Sequence, residues 1–299
     1  MRLLKTMRGD DERQSMIATD FEIYEKFGVP TGALQMHYHD FYEIIYIAEG
    51  EFSSLVNNVT YHLHKGDFLL LDRNVMHNYH YVEGRHENSR RIVLWISPDT
   101  LESLSGGLTD LSACFHHPGI YAYHFPIYYE EMLRNLLVKI ALEEAPDMQL
   151  EGGKKLLDRV NLTQFFLYLN ELSARKSFSH HPRESTRHSL VERVSVYMDE
   201  HLDEDISVEE LAKHLHLSKF YLLHRFKELT GTTLHAFLTD KRLIRACEYL
   251  QSELAIGEIG NLCGFNDYSV FLRNFKKAYD MSPREYRDLF HNQKPLANL

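Results

Sequence analysis

Short hydrophobic runs separated by turn residues fill the stretch from residue 34 to 96. The runs are residues 41–47, 59–63, 68–71 and 92–96. They are broken by residues that favour turns, among them Gly50, Asn57 and Gly66. Runs of this length, with a turn after roughly every 8–12 residues, are typical of a β-sandwich or a small barrel. We predict such a fold for this part of the chain.

After residue 127 the hydrophobic positions follow helical spacing instead. Two helices are predicted, over residues 128–144 and 154–174. The second carries a leucine-rich stripe formed by Leu156, Leu157, Val160, Phe165 and Leu169. We expect this helical hairpin to provide a dimerisation surface, with packing against the β-structure as the alternative.

A polar stretch divides the chain. Residues 176–186 contain a proline and show no period, which indicates a linker between domains. We place a first domain at residues 1–178, the linker at 179–187 and a second domain at 188–292.

The second domain is predicted to consist of short helices. Two of them begin with a capping box, in which Ser207 or Ser282 is followed three residues later by Glu210 or Glu285. In such a box the serine and the glutamate satisfy the unpaired backbone amides at the start of the helix.

This domain also contains a repeat. Residues 222–227 align with residues 271–276 at an offset of 49, and residues 211–217 align with residues 259–265 at an offset of 48. Each copy predicts a short helix, a tight turn, and a second helix with an aromatic residue and lysines. This is the layout of a helix-turn-helix, whose second helix enters the major groove of DNA. A plain helical bundle with an internal duplication is the alternative.

Capping and charge favour the DNA-binding interpretation. The second helices start at polar positions, Ser218 in one copy and Asn266 or Asp267 in the other. Each keeps arginine and lysine beside a phenylalanine that we predict to be buried, Phe226 or Phe275. We expect four further residues in the core: Leu211, Leu215, Ile259 and Phe265.

The net charge of −10 does not contradict this interpretation. Residues 1–180 carry −8 of it, and residues 181–299 carry only −2. What matters for DNA is therefore where the positive charges of the second domain lie.

The repeat, the helix predicted at 234–250 and the segment 259–286 closely resemble the AraC/XylS family of bacterial transcription regulators. Its Gly-Phe, Phe-x3-Phe-Lys-Lys and Ser-Pro-x-x-Tyr elements are all present in the segment 259–286. The resemblance implies two helix-turn-helix units joined by one long helix, with operator DNA and RNA polymerase as partners. It also implies recognition helices that enter successive major grooves on one face of the DNA.

Alignment with the family carries over the residues that would contact DNA. In the first recognition helix these are Lys219, Phe220, Leu223, His224 and Lys227, and in the second they are Tyr268, Ser269, Leu272, Arg273, Lys276 and Lys277. We expect Arg273 to bind guanine, because a guanidinium spans the O6 and N7 atoms with two hydrogen bonds. The lysines at 227, 276 and 277 are expected to contact phosphates, which position the protein without reading sequence.

The chain departs from the family pattern at two positions. Gly260 stands where the family usually has alanine, and Asp280 stands where it often has glycine. Both departures could loosen the second helix-turn-helix, and neither removes an expected contact.

Histidines and a glutamate cluster in the predicted β-domain. Alternate residues of a strand share a face, so His37, His39 and Glu43 are expected to point inward together. With Gly50 and His77 they resemble the first motif, and the histidine of the second motif, of the cupin barrel. The rest of the second motif differs, since Asp72, Asn74 and Tyr81 replace the expected proline, glycine and asparagine.

Three interpretations of this cluster remain open. In cupin enzymes such residues hold a transition metal, since imidazoles and a carboxylate suit these ions. Regulators that resemble this chain bind a small organic effector instead, and a sugar suits hydrogen-bonding groups beside aromatic faces. The third interpretation is that the histidines only satisfy one another. We favour an effector site without metal or cofactor, formed by His37, His39, Glu43, His77, Tyr79 and Trp95.

Composition excludes several other classes. Hydrophobic residues make up 44% and charged residues 25%, which are globular values. No apolar run approaches the ~20 residues of a membrane helix. We found no pattern typical of a serine hydrolase, a phosphate-binding loop or a Cys-x-x-Cys centre. The expected fold class is α+β, with a cupin-like jelly-roll barrel and helical hairpin followed by an all-α domain. The expected function is a cytoplasmic, dimeric, effector-responsive regulator of a carbohydrate or other metabolic operon, and the alternative is a metal-dependent cupin enzyme fused to a DNA-binding domain.

Overall fold

A computed structural model gives the structure of the chain. It describes residues 6–8, 16–27, 36–57, 59–80, 89–142, 153–179, 190–279 and 281–292. The chain forms two compact units, residues 1–186 and residues 187–299, and each is described by itself.

The first unit contains two β-sheets. The described strands are β1 (Thr6–Arg8), β2 (Phe21–Phe27), β3 (Tyr42–Glu49), β4 (Glu51–Val56), β5 (Val59–His64), β6 (Asp67–Leu71), β7 (His77–His80), β8 (Arg90–Ile96) and β9 (Ala122–His124). Their order is β1-β2-β8-β3-β6-β9 in the large sheet and β5-β4-β7 in the small one. A strand is present at each of the four predicted runs, whereas β1, β2, β4, β7 and β9 lie outside those runs.

An apolar cluster fills the interior of the first unit. We call it the inner cluster, and the face of the large sheet that it contacts is the inner face. On β3 the alternate residues Ile45 and Ile47 belong to the inner cluster, and so does Val56 of the small sheet. In the register of the large sheet, Glu43 lies beside Trp95 of β8 and Leu71 of β6. Glu43 shares the face of Ile45 and Ile47, so the sheet turns its carboxylate inward.

Helices cover the outer face of the large sheet. They are α1 (Pro98–Ser105), α2 (Ile127–Ala141) and α3 (Gly153–Ser173). Tyr42, Ile44 and Tyr46 of β3 pack against them in a second apolar cluster. The hydroxyl of Tyr46 also donates a hydrogen bond to the buried carboxylate of Glu130 on α2.

The predicted leucine-rich stripe does not form a single face of α3. Phe165 and Leu169 are fully buried against the sheet. Leu156, Leu157 and Val160 are exposed by 64%, 46% and 53%. Residues 156 and 165 are nine positions apart, which at 3.6 residues per turn places them on opposite sides of the helix. Of the predicted stripe, only Leu156, Leu157 and Val160 remain exposed for the predicted dimer contact.

The regular elements described in the second unit are all helices. The helices are α4 (Leu190–Glu200), α5 (Val208–His214), α6 (Lys219–Thr230), α7 (Leu234–Leu250), α8 (Ile256–Leu262), α9 (Tyr268–Tyr279) and α10 (Pro283–Asn292). The pairs α5–α6 and α8–α9 are the two predicted helix-turn-helix units, and α7 joins them. All six residues predicted for the core of this unit are buried.

Capping side chains start these helices as predicted. The Ser207 hydroxyl accepts the Glu210 amide at 3.1 Å, and the Ser282 hydroxyl accepts the Glu285 amide at 3.2 Å. The Ser218 hydroxyl accepts the Tyr221 amide at 3.2 Å and starts α6.

One departure from the family pattern has a packing explanation. A Cβ atom at Gly260 would lie 3.2 Å from the Phe271 ring, a tight contact, so the glycine lets α8 and α9 approach closely. The surroundings of this glycine therefore do not support the expectation that it loosens the second helix-turn-helix. The other departure, Asp280, and most of the predicted linker lie outside the described residues.

Candidate functional site

The backbone brings the two predicted histidine motifs together. The His37 amide donates to the His77 carbonyl at 3.0 Å, and the His77 amide donates to the His37 carbonyl at 2.9 Å. This bridge holds residues 36–39 beside the start of β7. The Asn74 amide, in the turn before β7, donates to the His39 carbonyl at 2.7 Å. Asn74 has φ 60°, and asparagine tolerates this left-handed conformation where the cupin motif has glycine.

Three side chains converge inside the first unit. The Nε2 atoms of His39 and His77 lie 3.1 and 3.2 Å from the same Oε2 atom of Glu43. The other carboxylate oxygen of Glu43 accepts the indole N–H of Trp95 at 2.8 Å. All four side chains are buried. We call His39, Glu43 and His77 the histidine–glutamate cluster.

Backbone carbonyls fix the protonation of both rings at one nitrogen. His39 Nδ1 lies 2.9 Å from the Phe41 carbonyl, and His77 Nδ1 lies 2.9 Å from the Val75 carbonyl. A carbonyl only accepts hydrogen bonds, so each Nδ1 carries a proton. Each Nε2 then faces the Glu43 carboxylate with either a second proton or a lone pair.

The cluster therefore attracts positive charge. With lone pairs on both Nε2 atoms, three electron-rich atoms would meet in a buried space, which is unfavourable. A proton on an imidazole, or a bound cation, relieves this repulsion. Burial raises the pKa of Glu43, but hydrogen bonds and positive charge from His39 and His77 outweigh burial and hold that pKa well below its ordinary value.

The donor set fits a transition metal ion. The ligand atoms of His39, Glu43 and His77 all lie within 4.8 Å of one another. Two imidazoles and a carboxylate suit zinc, nickel, cobalt, iron or manganese. A protein that binds such an ion commonly anchors the other ring nitrogen to a carbonyl, as both rings are anchored here.

Aromatic rings surround the cluster. Phe41 is stacked on His39 with ring centroids 3.9 Å apart. Phe41 also contacts Trp95, at 4.9 Å between centroids. His37 is adjacent to the cluster, with its ring 4.2 Å from that of His77, but it is not one of the three converging residues.

The helix-turn-helix units present the second set of candidate residues. In α6, Leu222 and Phe226 are buried, whereas Phe220, His224 and Lys227 are exposed. The chain turns before this helix at His216, which has φ 57°.

The second helix-turn-helix is built in the same way. In α9, Phe271 and Phe275 are buried, whereas Ser269, Arg273 and Lys276 are exposed. Asp267 starts the helix by accepting the Ser269 and Val270 amides at 2.6 and 3.2 Å. These two hydrogen bonds lower the pKa of Asp267.

Comparison with known proteins identifies both units. An AraC-like ligand-binding domain matches residues 25–151, and a helix-turn-helix domain matches residues 211–288. The HTH-type transcriptional activator RhaS of Salmonella schwarzengrund is 24% identical over 260 residues, which is 87% of this chain and 89% of that protein. RhaS of Salmonella typhimurium has the same identity and coverage. The chain belongs to the AraC family of transcription regulators.

The chain is also similar to solved structures. ToxT of Vibrio cholerae O395 is 15% identical, with 91% of this chain and 99% of that chain covered and a TM-score of 0.36. The DNA-binding domain of AdpA, solved in complex with a target DNA, is 30% identical over 36% of this chain and 96% of that chain, with a TM-score of 0.34.

Family membership makes the chain a DNA-binding transcription regulator with a ligand-binding domain. The predicted family and fold class are thereby confirmed. None of the helices in the described residues is both long and apolar enough to cross a membrane.

The DNA-contact residues predicted from the AraC family lie on helix faces away from the core. Leu272 is partly exposed, and the remaining ten are exposed. Those ten are Lys219, Phe220, Leu223, His224, Lys227, Tyr268, Ser269, Arg273, Lys276 and Lys277. Lys219 forms an ion pair with Glu209 in this structure. Their roles on DNA remain predictions.

The predicted effector residues divide into three groups. His39, Glu43, His77 and Trp95 meet at the cluster, and His37 lies beside it. Tyr79 pairs with Ser54 through its backbone, but its side chain lies outside the described part of the structure. Tyr81, which replaces the asparagine expected in the second cupin motif, also lies outside it.

Sequence reasoning missed two residues beside the cluster. Tyr24 of β2 packs edge-on against Trp95 with 5.1 Å between ring centroids. The Lys26 ammonium lies over both rings, 5.3 Å from Tyr24 and 5.9 Å from Trp95. The residues that favour strands, Phe21, Ile23, Tyr24 and Phe27, were the signal that could have revealed this strand.

Proposed function

We propose that the chain is an effector-responsive transcription activator whose effector binds at the histidine–glutamate cluster. The observation that carries the proposal is the convergence of His39, Glu43, His77 and Trp95 inside the segment that matches the AraC-like ligand-binding domain. Activation, rather than repression, is supported by the RhaS relatives, which are named as activators. The proposed sensory domain, linker and DNA-binding domain keep the limits 1–178, 179–187 and 188–292.

A polar organic effector suits the chemistry of the cluster. Neighbouring hydroxyl groups would donate to the Glu43 carboxylate and accept from the imidazoles, and so replace the contacts that the cluster now makes with itself. The apolar face of such a molecule would pack on Phe41 and Trp95. Sugars combine these two properties, and we propose a sugar as the effector.

Effector binding at the cluster can control transcription only if it favours one arrangement of the protein over another. An effector shifts a conformational equilibrium only by as much as its affinity differs between the two states. We propose that the favoured state binds two successive major grooves of operator DNA as a homodimer in the cytoplasm and contacts RNA polymerase there.

Thermal unfolding tests the effector site. Trp95 is the single tryptophan of the chain and donates to Glu43, so its fluorescence reports on the cluster. A sugar at a hundred times its dissociation constant adds about 2.7 kcal/mol of stability, which raises the midpoint by several degrees. The expected result is a rise with one class of sugar that is absent in Glu43→Gln.

The matched control is Glu102→Gln, which makes the same change at an exposed position on α1. It should respond to the sugar as the wild type does. A sugar that stabilises Glu43→Gln as strongly as the wild type would place the effector elsewhere.

A divalent metal is the second candidate ligand. The two carbonyl-anchored imidazoles and the carboxylate favour it. Under this proposal the purified protein retains one equivalent of metal after dialysis, measured by mass spectrometry, and His77→Ala loses it. Exposed His62 on β5 supplies the control, and His62→Ala should retain the metal. Metal together with turnover of a substrate would favour the enzyme alternative.

A further inference from the structure

The two recognition helices can be compared position by position. The repeat aligns α6 with α9 at an offset of 49. In the structure, equivalent positions of the two helices are buried. Leu222 and Phe226 form the buried stripe of α6, and Phe271 and Phe275 form that of α9. Because the buried stripes correspond, the outward positions correspond as well.

Five outward positions of the two helices can be compared. Two are similar in both helices, with Leu223 matching Leu272 and Lys227 matching Lys276. The other three differ in chemistry. Lys219 of α6 corresponds to Tyr268 of α9, Phe220 to Ser269, and His224 to Arg273.

Phe220 is an unusual surface residue. Its side chain is 80% exposed, on the side of α6 opposite Leu222 and Phe226. Its ring lies parallel to that of His224, with 6° between the planes and 6.1 Å between the centroids. Together with the exposed Leu223, it forms an apolar surface on the helix face that also carries Lys227.

The major groove of DNA offers one apolar group to such a surface, the 5-methyl group of thymine. We propose that Phe220, assisted by Leu223, reads thymine methyl groups in the half-site beneath α6. The half-site beneath α9 is read differently, through the Arg273 guanidinium on guanine. Phe220 thus contributes to the chemical difference between the two half-sites. This inference rests on the proposed function, in which both helices enter major grooves.

Removal of single methyl groups from DNA tests the inference. The probe is a duplex enriched from a random library by the full chain, with each thymine replaced in turn by deoxyuridine, which lacks only the methyl group. Affinity is measured by fluorescence anisotropy for the wild type, for Phe220→Ala and for the control Ser269→Ala. The control changes the corresponding position of α9.

The expected result is that the losses of DNA affinity caused by deoxyuridine and by Phe220→Ala do not add. Deoxyuridine at one or two positions of one half-site weakens wild-type binding by about fourfold, the size expected for one buried methyl group. Phe220→Ala binds the thymine duplex weakly and shows no further loss with deoxyuridine at those positions. Ser269→Ala keeps the full wild-type response to deoxyuridine.

Two outcomes would overturn the inference in different ways. If Phe220→Ala still loses affinity with deoxyuridine as the wild type does, Phe220 does not read the methyl groups although the protein binds DNA. If the library yields no enriched duplex for the wild type, the DNA-binding function itself fails. Unfolding of Phe220→Ala at the wild-type midpoint excludes misfolding as the cause of any loss.

Discussion

The turn of the second helix-turn-helix depends on a glycine. Gly264 lies between α8 and α9 with φ 79°, a left-handed conformation that costs other residues about 1–2 kcal/mol. A Cβ atom there would lie 2.4 Å from the Leu202 carbonyl oxygen and 2.8 Å from the Arg242 guanidinium. Arg242 Nε donates to that same carbonyl at 3.0 Å, so alanine also disturbs a charged hydrogen bond. We predict that Gly264→Ala destabilises the second unit by about 3 kcal/mol or more.

Two optical signals separate the units in this experiment. Trp95, the single tryptophan, reports the first unit by fluorescence. Circular dichroism at 222 nm is dominated by helices, and most of the described helical residues belong to the second unit. In urea unfolding of the full chain, Gly264→Ala should lower the midpoint of the dichroism transition and leave the fluorescence transition unchanged.

Gly257 provides the matched control in the same unit. It lies in α8, and nothing within 4 Å would meet an added Cβ atom. Gly257→Ala should therefore be neutral or stabilising, by about 0.4–1 kcal/mol. The reasoning is refuted if Gly264→Ala unfolds at the wild-type midpoint, or if both glycine variants lose the same stability.

Three further predictions follow from the cluster and the helices. Because the folded pKa of Glu43 is lowered, its contribution to stability is complete above the ordinary value of 4.5 and is lost as pH falls through the folded pKa. Unfolding midpoints measured from pH 7 downward should thus fall more for the wild type than for Glu43→Gln. Arg273→Ala should cost about 1–3 kcal/mol at one operator base pair, whereas Lys276→Ala should weaken all sequences alike and flatten the salt dependence, and equal losses on every sequence would refute this division. Leu156→Glu with Val160→Glu should convert the proposed dimer to a monomer in sedimentation, and an unchanged mass would exclude the exposed face of α3 as the dimer contact.

The helical half was predictable because its signals are local. Capping residues such as Ser207 and Ser218 are adjacent to the helices that they start, and the connecting helix α7 has the predicted bounds 234–250. The repeat then places both recognition helices without information from distant residues.

The effector cluster was only partly predictable because it depends on contacts between distant strands. Alternation predicted that His37, His39 and Glu43 share one face. However, β3 starts at Tyr42, and the residues before it are held by a bridge to His77 rather than by a continuous strand. For this reason His39 reaches Glu43, whereas His37 lies beside His77. The contact of Tyr24 with Trp95 likewise follows from the pairing of β2 with β8.

Operator affinity with and without candidate effectors tests the central claim most directly. The full chain is titrated onto its enriched duplex in the presence of a panel of sugars and divalent metals, and the same titrations are made with Glu43→Gln. The account predicts that a compound from the panel changes wild-type affinity by roughly five- to 150-fold, the usual range of coupling between two sites, and leaves Glu43→Gln unchanged. A compound that shifts both proteins equally, or an affinity that no compound changes, would contradict it.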